Sequence, residues 1–380
     1  MKAVTHHKHA RIFAALSRDI RAGRWHQGER LPSEAQLVKD FAVSRITVTR
    51  AMRDLQAAGF IERRAGSGSY IKTTRSARSH SFGVLIPELG ETEIFDPICR
   101  GMMASPLAGQ HVLLWGNTSR SGTPLSKAEN AWQLCRQYVG RNVSGVFFAP
   151  LEGPPAQDEI NQRITRALDD ARIPVVLLDR SLLPYPAPVH HDLVGIDNRR
   201  AGYIITEHLL RAGCRRLHFV ALPDTASTIA DREAGFREAL YVWQRPIDKS
   251  SAHRLDPDEI GSVRRLMKEH RPDGIVCAND RTAGHLMHSL RRIGYSIPDD
   301  VRLVGIDDVE YAGLLPVPLT TLRQPTQQIG DAALALMLER IARPALPPRD
   351  TRLPCELIVR ESCGTPFLHS PNISPRRTDR

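Results

Sequence analysis

Polar side chains follow several apolar runs in the larger part of this chain, at the points where predicted strands end. Asp179 and Arg180 come after PVVLL, Asn279 lies in CAND and Asp307 lies in VGIDD. In open parallel sheets, ligands bind beyond the carboxyl ends of the strands. Carboxylates and amides match the donors and acceptors of a hydroxyl-rich molecule, and Arg adds a planar fork of donors. The pattern therefore predicts a cleft for a small polar ligand.

The same residue types also begin helices, because an Asp or Asn side chain at the N-cap accepts hydrogen bonds from free backbone N–H groups. We expect this simpler role for Asn198, Asp280 and Asp308, each of which follows a strand-like run. They are therefore not part of the predicted ligand set.

A second chemical pattern lies between residues 44 and 59. Apolar residues recur there at the spacing of one helix face: Val48, Ala51, Met52 and Leu55. The opposite side, called the reading face below, carries Ile46, Thr49, Arg50 and Arg53. Such a face suits the major groove of DNA, where Arg forks onto guanine and an aliphatic group meets the thymine methyl. Arg45 and Thr47, in the first turn, are placed to reach bases or phosphates.

Two further helices and a hairpin are predicted around this helix. Residues 8 to 22 form a one-sided helix that stops at Gly23, and Ser33 with Gln36 makes a capping box for a second helix that runs to about Phe41. Ser44 caps the third helix. The runs FIERR and SYIK then flank a Gly-rich turn, so the order of elements predicts a winged helix-turn-helix.

The charge distribution supports a nucleic-acid partner at this end of the chain. The 380 residues carry a net charge of +10, and residues 1 to 78 alone hold 16 Lys and Arg against 6 Asp and Glu. The remainder is neutral overall. An excess of positive charge confined to one end of the chain indicates that this end binds a polyanion.

The larger part alternates short apolar runs with helical stretches, from FGVLIP to VRLVGID. This rhythm predicts an α/β fold with parallel sheets wrapped by helices. The pattern leaves open whether there is one large sheet or two smaller ones. Residues 73–80 are polar and basic without periodicity, which indicates a linker, and residues 366–380 indicate a frayed C-terminal tail.

Several classes of protein are not supported by the sequence. There is no GxGxxG after a strand, no GxxxxGK[ST] and no nucleophile elbow, so we expect no enzyme and no cofactor. The six cysteines form no CxxC pair, and the His residues lack ligand spacing, so we expect reduced thiols and no metal. Without a signal-peptide core or an apolar stretch of eighteen residues, a cytoplasmic protein that does not enter the membrane is expected.

The segment LPSEAQLVKDFAVSRITVTRAMRDLQAAGFIERRAGSGSYI, residues 31–71, resembles the GntR family of bacterial regulators. The resemblance implies DNA contacts at Ser33, Arg45, Thr47 and the wing residue Gly66. Two arginines typical of the family are absent, because Ala35 and Thr49 occupy their positions.

Four later segments resemble the effector domain of LacI-type repressors, which is similar to periplasmic sugar-binding proteins: VGIDNRRAGYIITEHLLRAGCRRLHFVALP, DREAGFREAL, PDGIVCANDRTAGHLMHSLRRIGYSIPDDVRLVGIDD and PLTTLRQP. The resemblance implies two Rossmann-like lobes, with chain crossovers near residues 190, 308 and 323. It implies ligand residues in the cleft at Phe95, Asp179, Thr228, Arg232, Asn279, Asp307 and Gln324, to which the strand-end pattern adds Arg180. The implied domains are residues 1–72, which read DNA, and residues 81–365, which bind the ligand.

A chain that combines these two units is similar to regulators of the arabinose-repressor type. The two resemblances imply a ligand-responsive transcription regulator, a repressor that binds a pseudo-palindromic operator as a homodimer and senses a sugar. Two alternatives stay open. The same architecture can sense a nucleobase or a sugar phosphate, since Arg180 and Arg232 are expected near one cleft. An enzyme acting on glycosides would use Asp179 and Asp307 as an acid and base pair.

Overall fold

The computed structural model describes residues 5–21, 24–25, 28–64, 67–72, 79–86, 93–109, 111–116, 124–152, 156–183, 186–223, 227–247 and 249–364. The chain divides into two compact units, Met1–Ser79 and His80–Arg380. The predicted wing residue Gly66, most of the predicted linker and the C-terminal tail lie outside the described residues.

The N-terminal unit is a winged helix-turn-helix. Its helices are α1 (Thr5–Arg21), α2 (Glu34–Phe41) and α3 (Arg45–Ala57), and its hairpin pairs β1 (Ile61–Arg64) with β2 (Gly68–Ile71) in antiparallel register. The core is the set of apolar side chains that the helical spacing predicted, including Ile12, Leu16, Val48 and Leu55.

Hydrogen bonds at the helix ends explain where α2 and α3 begin. Ser33 Oγ accepts from the Gln36 backbone N–H at 3.2 Å, and Ser44 Oγ accepts from that of Thr47 at 3.4 Å. Between the helices Ala42 takes a left-handed conformation with φ +50°. The turn is therefore set by two short polar caps and one strained residue.

The C-terminal unit contains two lobes, each built on a six-stranded sheet, which settles the question that the sequence pattern left open. In chain order the first sheet contains β3 (Ser81–Leu85), β4 (Val112–Trp115), β5 (Gly145–Phe148), β6 (Val175–Leu178), β7 (Asp192–Ile196) and β13 (Asp350–Leu353). The second contains β8 (Leu217–Ala221), β9 (Ala252–Arg254), β10 (Gly274–Cys277), β11 (Arg302–Asp307), β12 (Thr320–Arg323) and β14 (Glu356–Ile358). Apart from β14, which pairs antiparallel with β12, the strands are parallel, so the predicted two-lobed α/β class is confirmed.

Helices cover both sheets. Those of the first lobe are α4 (Phe95–Ala104), α5 (Pro124–Gly140), α6 (Ala156–Asp170) and α11 (Thr326–Ala342). Those of the second lobe are α7 (Asn198–Arg211), α8 (Ser227–Val242), α9 (Ile260–His270) and α10 (Asp280–Arg292).

The chain passes between the lobes at three places, and two of them differ from the expectation. The first crossing follows Ile196 rather than residue 190, because β7 still pairs with β6 in the first sheet. The crossing expected near residue 308 is wrong: β11 and β12 are neighbours in one sheet, and the segment between them buries Val309 and Ala312 in the second lobe. The remaining crossings lie at residues 324–325 and 354–355, where the chain leaves β12 and enters β14.

Within the ranges given above, no helix is both long and apolar enough to cross a membrane.

Candidate DNA-reading face and ligand cleft

The reading face of α3 is open to solvent. Ile46 is 83% exposed, and Thr49, Arg50 and Arg53 are exposed beside it, while the apolar face of the same helix is buried. Arg45, in the first turn, is also exposed. An exposed large aliphatic residue among arginines fits contact with a thymine methyl next to guanine.

Two of the predicted DNA contacts are engaged in caps. Thr47 is only 6% exposed, and its hydroxyl lies 2.8 Å from that of Ser44. Ser33 is exposed, and its hydroxyl caps α2. Thr47 therefore orders the start of the reading helix, whereas Ser33 keeps room for a further contact.

Sequence reasoning missed Glu34 in this unit. Its carboxylate accepts from the Thr49 hydroxyl at 2.9 Å and pairs with Arg63 of β1. An acidic residue at the first position of a helix is usually assigned to the helix dipole, so no sequence signal marked this bridge between α2, α3 and the wing.

In the second lobe, Arg232 is the centre of a buried polar network. It is 4% exposed; its Nε donates to Asn198 Oδ1 at 2.8 Å, and one terminal nitrogen donates to the Ala278 carbonyl at 2.6 Å. The other terminal nitrogen lies 3.4 Å from Asp307 Oδ1, which also accepts from Gln324 Nε2 at 2.7 Å. The network joins α7, α8, β10 and β11 to the second crossing between the lobes.

Close packing of α7 on α8 fixes the position of Arg232. A side chain at Gly202 would approach the Arg232 carbonyl oxygen to 2.0 Å, and one at Gly235 would approach the Arg199 carbonyl oxygen to 1.9 Å. Only residues without a Cβ allow the helix backbones to approach this closely. The guanidinium is therefore held from a rigid pair of helices.

The carboxylates around Arg232 have raised pKa values because they are buried. Burial raises the pKa of Asp179 to about 6, against the lowering effect of Arg232. Burial and the neighbouring Asp307 raise the pKa of Asp280 to about 7, and burial also raises the pKa of Asp307. Perturbed carboxylates gathered at strand ends are typical of functional sites.

Backbone conformation is unusual at the same residues. Asp179 has φ +68°, Asp307 +132° and Asp308 +55°, all in the region that L-residues rarely adopt. Such conformations cost about 1–3 kcal/mol each and concentrate at binding sites. Here they turn the chain at the ends of β6 and β11, where the lobes meet.

A cavity of about 980 Å³ lies between the lobes. Asp307 and Gln324 line it from the second lobe and the crossing, and α4 lines it from the first. At its rim the Tyr311 hydroxyl donates to Glu93 Oε1 at 3.1 Å, which links the two lobes directly. Of the predicted ligand residues, only Asp307 and Gln324 line this cavity.

The other predicted ligand residues lie around the network. Asp179 interacts electrostatically with Arg232 and Asp307. Arg180 is buried, donates to the Pro150 carbonyl at 2.7 Å, pairs with Glu152 and lies 5.7 Å from the centre of the Phe95 ring.

Phe95 belongs to the apolar core, so it presents no open face to a sugar. Thr228 is buried in α8, and Asn279 caps α10 by accepting from the Thr282 N–H at 2.8 Å.

The expected N-caps are wrong by one residue in two cases. Asp197, not Asn198, caps α7, and Asn279, not Asp280, caps α10. Asp280 instead accepts from the Thr321 hydroxyl at 2.6 Å and from the Val309 N–H at 3.1 Å. Asp308 caps no helix; it pairs with Arg360 and Arg323, both at 2.6 Å. At α7 and α10 the residue just before the expected one therefore caps the helix, and the buried Asn198 and Asp280 make tertiary hydrogen bonds instead.

The geometry agrees with what is known of related proteins. Residues 8–71 match the family of bacterial regulatory proteins described as gntR, and residues 206–363 match the periplasmic binding protein-like domain. The chain is 27% identical to the arabinose metabolism transcriptional repressor of Geobacillus stearothermophilus, over 95% of this chain and 99% of the relative. It is 30% identical to the ribose operon repressor of Halalkalibacterium halodurans, over 84% of this chain and 94% of the relative.

Among solved structures, the complex of the transcriptional regulator CelR with cellobiose is similar with a TM-score of 0.62 and 26% identity, covering 84% of this chain and 91% of that one. These relatives are all transcription regulators. The comparisons therefore support the assignment of both the N-terminal winged helix and the C-terminal two-lobed unit.

Proposed function

The chain belongs to the bacterial transcriptional repressors that join a GntR-type winged helix to a LacI-type, periplasmic-binding-protein-like domain, and from this premise we propose that its effector is a neutral sugar bound between the lobes. It is a ligand-responsive DNA-binding repressor. The effector class, the pocket residues and the homodimer are the proposed parts.

The observation that carries the effector class is a pair of buried acceptors. Asp179 Oδ1 and Gln324 Oε1 have no hydrogen-bond partner within the described part of the chain, although both residues are buried. Gln324 lines the cavity itself, and Asp179 interacts electrostatically with Asp307, which lines it too. Arg232, the buried donor of the same network, already donates to two oxygens and contacts a third. A ligand that satisfies these acceptors must supply O–H or N–H groups, and vicinal hydroxyls do so in pairs.

The charge of the cavity favours a neutral ligand over a phosphorylated one. Six carboxylates line it, against Arg100 and Arg323: Glu93, Asp96, Asp307, Asp308, Glu310 and Glu356. Arg323 is itself paired with Asp308 and Glu356. Arg180 and Arg232 were the reason to consider a sugar phosphate or a nucleobase as the effector. Both donate hydrogen bonds to protein oxygens instead. A phosphate group would be repelled here.

An exposed apolar patch supports the homodimer. Val112 and Trp115 on the edge strand β4 are 47% and 51% exposed, and Met103 and Leu107 are exposed nearby in sequence at the end of α4. Exposed apolar residues on an unpaired sheet edge mark interaction sites. A two-fold pair of chains presents two reading faces, which matches a pseudo-palindromic operator. A coupling of about 1–3 kcal/mol between sugar and DNA is enough for a switch.

Thermal unfolding with a panel of compounds tests the effector class. Arabinose, ribose, cellobiose, ribose 5-phosphate and adenine are each added to the full chain, and every compound that raises the melting temperature is titrated by calorimetry. We expect a neutral sugar to bind and the phosphate ester not to bind. Tighter binding of ribose 5-phosphate or adenine than of any sugar would overturn the proposal.

Fluorescence anisotropy then tests the switch. The DNA is the duplex that the protein selects from a random library, and the binding sugar should change its affinity at least tenfold, which is within the usual range of allosteric coupling. The molar mass of the complex by light scattering should be that of two chains on one duplex. A single chain per duplex would contradict the homodimer.

We also propose that the chain does not turn over its ligand. Asp307, one of the two carboxylates required for glycoside chemistry, is held by Arg232 and Gln324. Incubation with nitrophenyl glycosides of each binding sugar should release no nitrophenol above buffer. Release that disappears in Asp307→Asn would establish an enzyme instead.

A further inference from the structure

Glu34 connects the three elements of the DNA-binding unit. It is the first residue of α2, its side chain is 21% exposed, and it contacts Thr49 on α3 and Arg63 on β1. The hydrogen bond runs from the Thr49 hydroxyl to Glu34 Oε2 at 2.9 Å. Arg63 pairs with the other carboxylate oxygen. A negative group at the edge of the reading face is therefore neutralised by the wing.

The direction of this hydrogen bond has a chemical consequence for Thr49. A hydroxyl has one hydrogen to donate and two lone pairs with which to accept. A carboxylate paired with Arg63 has no hydrogen to give, so Thr49 must be the donor. With its hydrogen committed to Glu34, the exposed Thr49 oxygen presents only lone pairs to the solvent side of α3.

The base edges of the major groove differ in this respect. Cytosine N4 and adenine N6 are amino donors, whereas guanine and thymine present keto oxygens, which only accept. A free threonine hydroxyl rotates to suit either kind of edge. A threonine whose hydrogen is already bound to a carboxylate can accept from adenine or cytosine and meets a keto oxygen with repulsion.

We propose that Glu34 is a positioning residue that makes Thr49 an obligate acceptor and thereby selects an amino-bearing base, adenine or cytosine, at one operator position. The inference rests on the assignment of the α3 face to DNA. It goes beyond that assignment by naming which base edges one residue accepts and which neighbour imposes the choice.

Selection from a random duplex library, followed by sequencing, tests this with the full chain. The unsubstituted protein should favour adenine or cytosine roughly tenfold at one position per half-site, as expected for one base contact. Thr49→Val, which removes the hydroxyl and keeps the shape, should abolish the preference at that position alone. Thr49→Ser, which keeps the hydroxyl, should retain it.

Glu34→Gln is the decisive variant, because its amide can donate as well as accept and frees Thr49 to rotate. It should lose the preference at the same position as Thr49→Val. Asp40→Asn is the matched control: Asp40 lies on the same helix, carries the same charge and bonds only to Gln36 within the described residues. It should keep every preference.

The outcomes separate this inference from the broader function. If the unsubstituted protein selects no sequence, the DNA-binding assignment itself fails. If it selects one and Thr49→Val retains the adenine or cytosine preference, Thr49 does not read that position and the inference is overturned. If Thr49→Val loses the preference and Glu34→Gln retains it, the role of Glu34 is overturned. A merely structural role of Glu34 would lower affinity for all duplexes equally and leave the base preferences unchanged.

Discussion

Replacement of Arg232 by alanine is the sharpest test of how the cleft is built. The resemblance to LacI-type effector domains names Arg232 as a ligand contact. In the structure it is a buried cation that holds Asn198, the Ala278 carbonyl and Asp307 together. Arg232→Ala would leave those acceptors without their donor and Asp307 without its cation. We therefore expect loss of stability in addition to loss of ligand control.

The size of the effect follows from burial. Removing one partner of a buried ion pair costs about 3–5 kcal/mol, because the other charge stays behind uncompensated. For a domain of this size, each kcal/mol lowers the melting temperature by about 2–4 °C. The expected decrease for Arg232→Ala is therefore about 6–20 °C at neutral pH.

The decrease should depend on pH in a defined direction. Burial raises the folded-state pKa of Asp179 from 3.8 to about 6, which corresponds to about 3 kcal/mol. A raised carboxyl pKa contributes stability that is fully present below the unfolded value and is lost as pH rises through the folded value. Arg232 lowers the pKa of both Asp179 and Asp307. Without Arg232, both pKa values rise further, so the stability lost on ionisation is larger and is lost at higher pH. The variant should be closer to the unsubstituted protein at pH 5 than at pH 8.

Differential scanning calorimetry at pH 5, 7 and 8 measures this directly. Arg199→Ala is the control: Arg199 lies on α7 in the same lobe, and its ion pair with Glu238 at 2.8 Å is exposed. An exposed pair contributes about 0–1 kcal/mol, so the control should melt within about 4 °C of the unsubstituted protein. If Arg232→Ala melts as the control does at every pH, the buried network does not hold the second lobe together.

Four other outcomes are expected. Sugar affinity should fall as the pH drops below 6, because protonation of Asp179, whose pKa is about 6, removes an acceptor, and Asp179→Asn should make this fall smaller in calorimetry between pH 5 and 7; an undiminished fall would remove Asp179 from the effect. Tyr311→Phe removes the hydrogen bond to Glu93 across the cleft and should weaken sugar binding about fivefold in calorimetry; unchanged affinity would show that this bond does not hold the lobes. Arg50→Ala should lower operator affinity by about 1–3 kcal/mol in anisotropy titrations, and equal affinity would remove Arg50 from the reading face. Because residues 1 to 78 hold the whole net charge, operator affinity should fall about a thousandfold or more between 50 and 200 mM salt, and a flat dependence would argue against a phosphate footprint.

The DNA-binding unit could be predicted almost completely from the sequence. Its helices depend on local signals. Ser33 and Ser44 cap α2 and α3, and the apolar residues at helical spacing pack into one core. What the sequence did not reveal is the contact between Glu34 and Thr49, fifteen residues apart, since side-chain pairs across a turn depend on how two helices cross. Thr47 was predicted as a DNA contact, and in the structure its hydroxyl also takes part in the Ser44 cap of α3.

The ligand cleft was predictable only in part. Alternating strands and helices indicate where polar residues end a strand, which pointed to Asp179 and Asp307, whereas Arg232 and Gln324 were named only through the resemblance to LacI-type effector domains. The exact residue that caps a helix depends on a single peptide's orientation. At α7 the cap is therefore Asp197, one residue before the predicted Asn198, which instead accepts from Arg232.

The sequence by itself determined the classes of the two units, the charge at the N-terminal end and the residues available for a polar cleft, because capping, periodicity and composition act within a few residues along the chain. Only the tertiary structure decided which residues meet. It split the strands into two sheets, placed the third crossing at residues 354–355, and buried Asp280 beside Asp307. These outcomes depend on packing between segments distant in sequence, and burial then determines which carboxylates stay charged and which hydroxyls are left to accept.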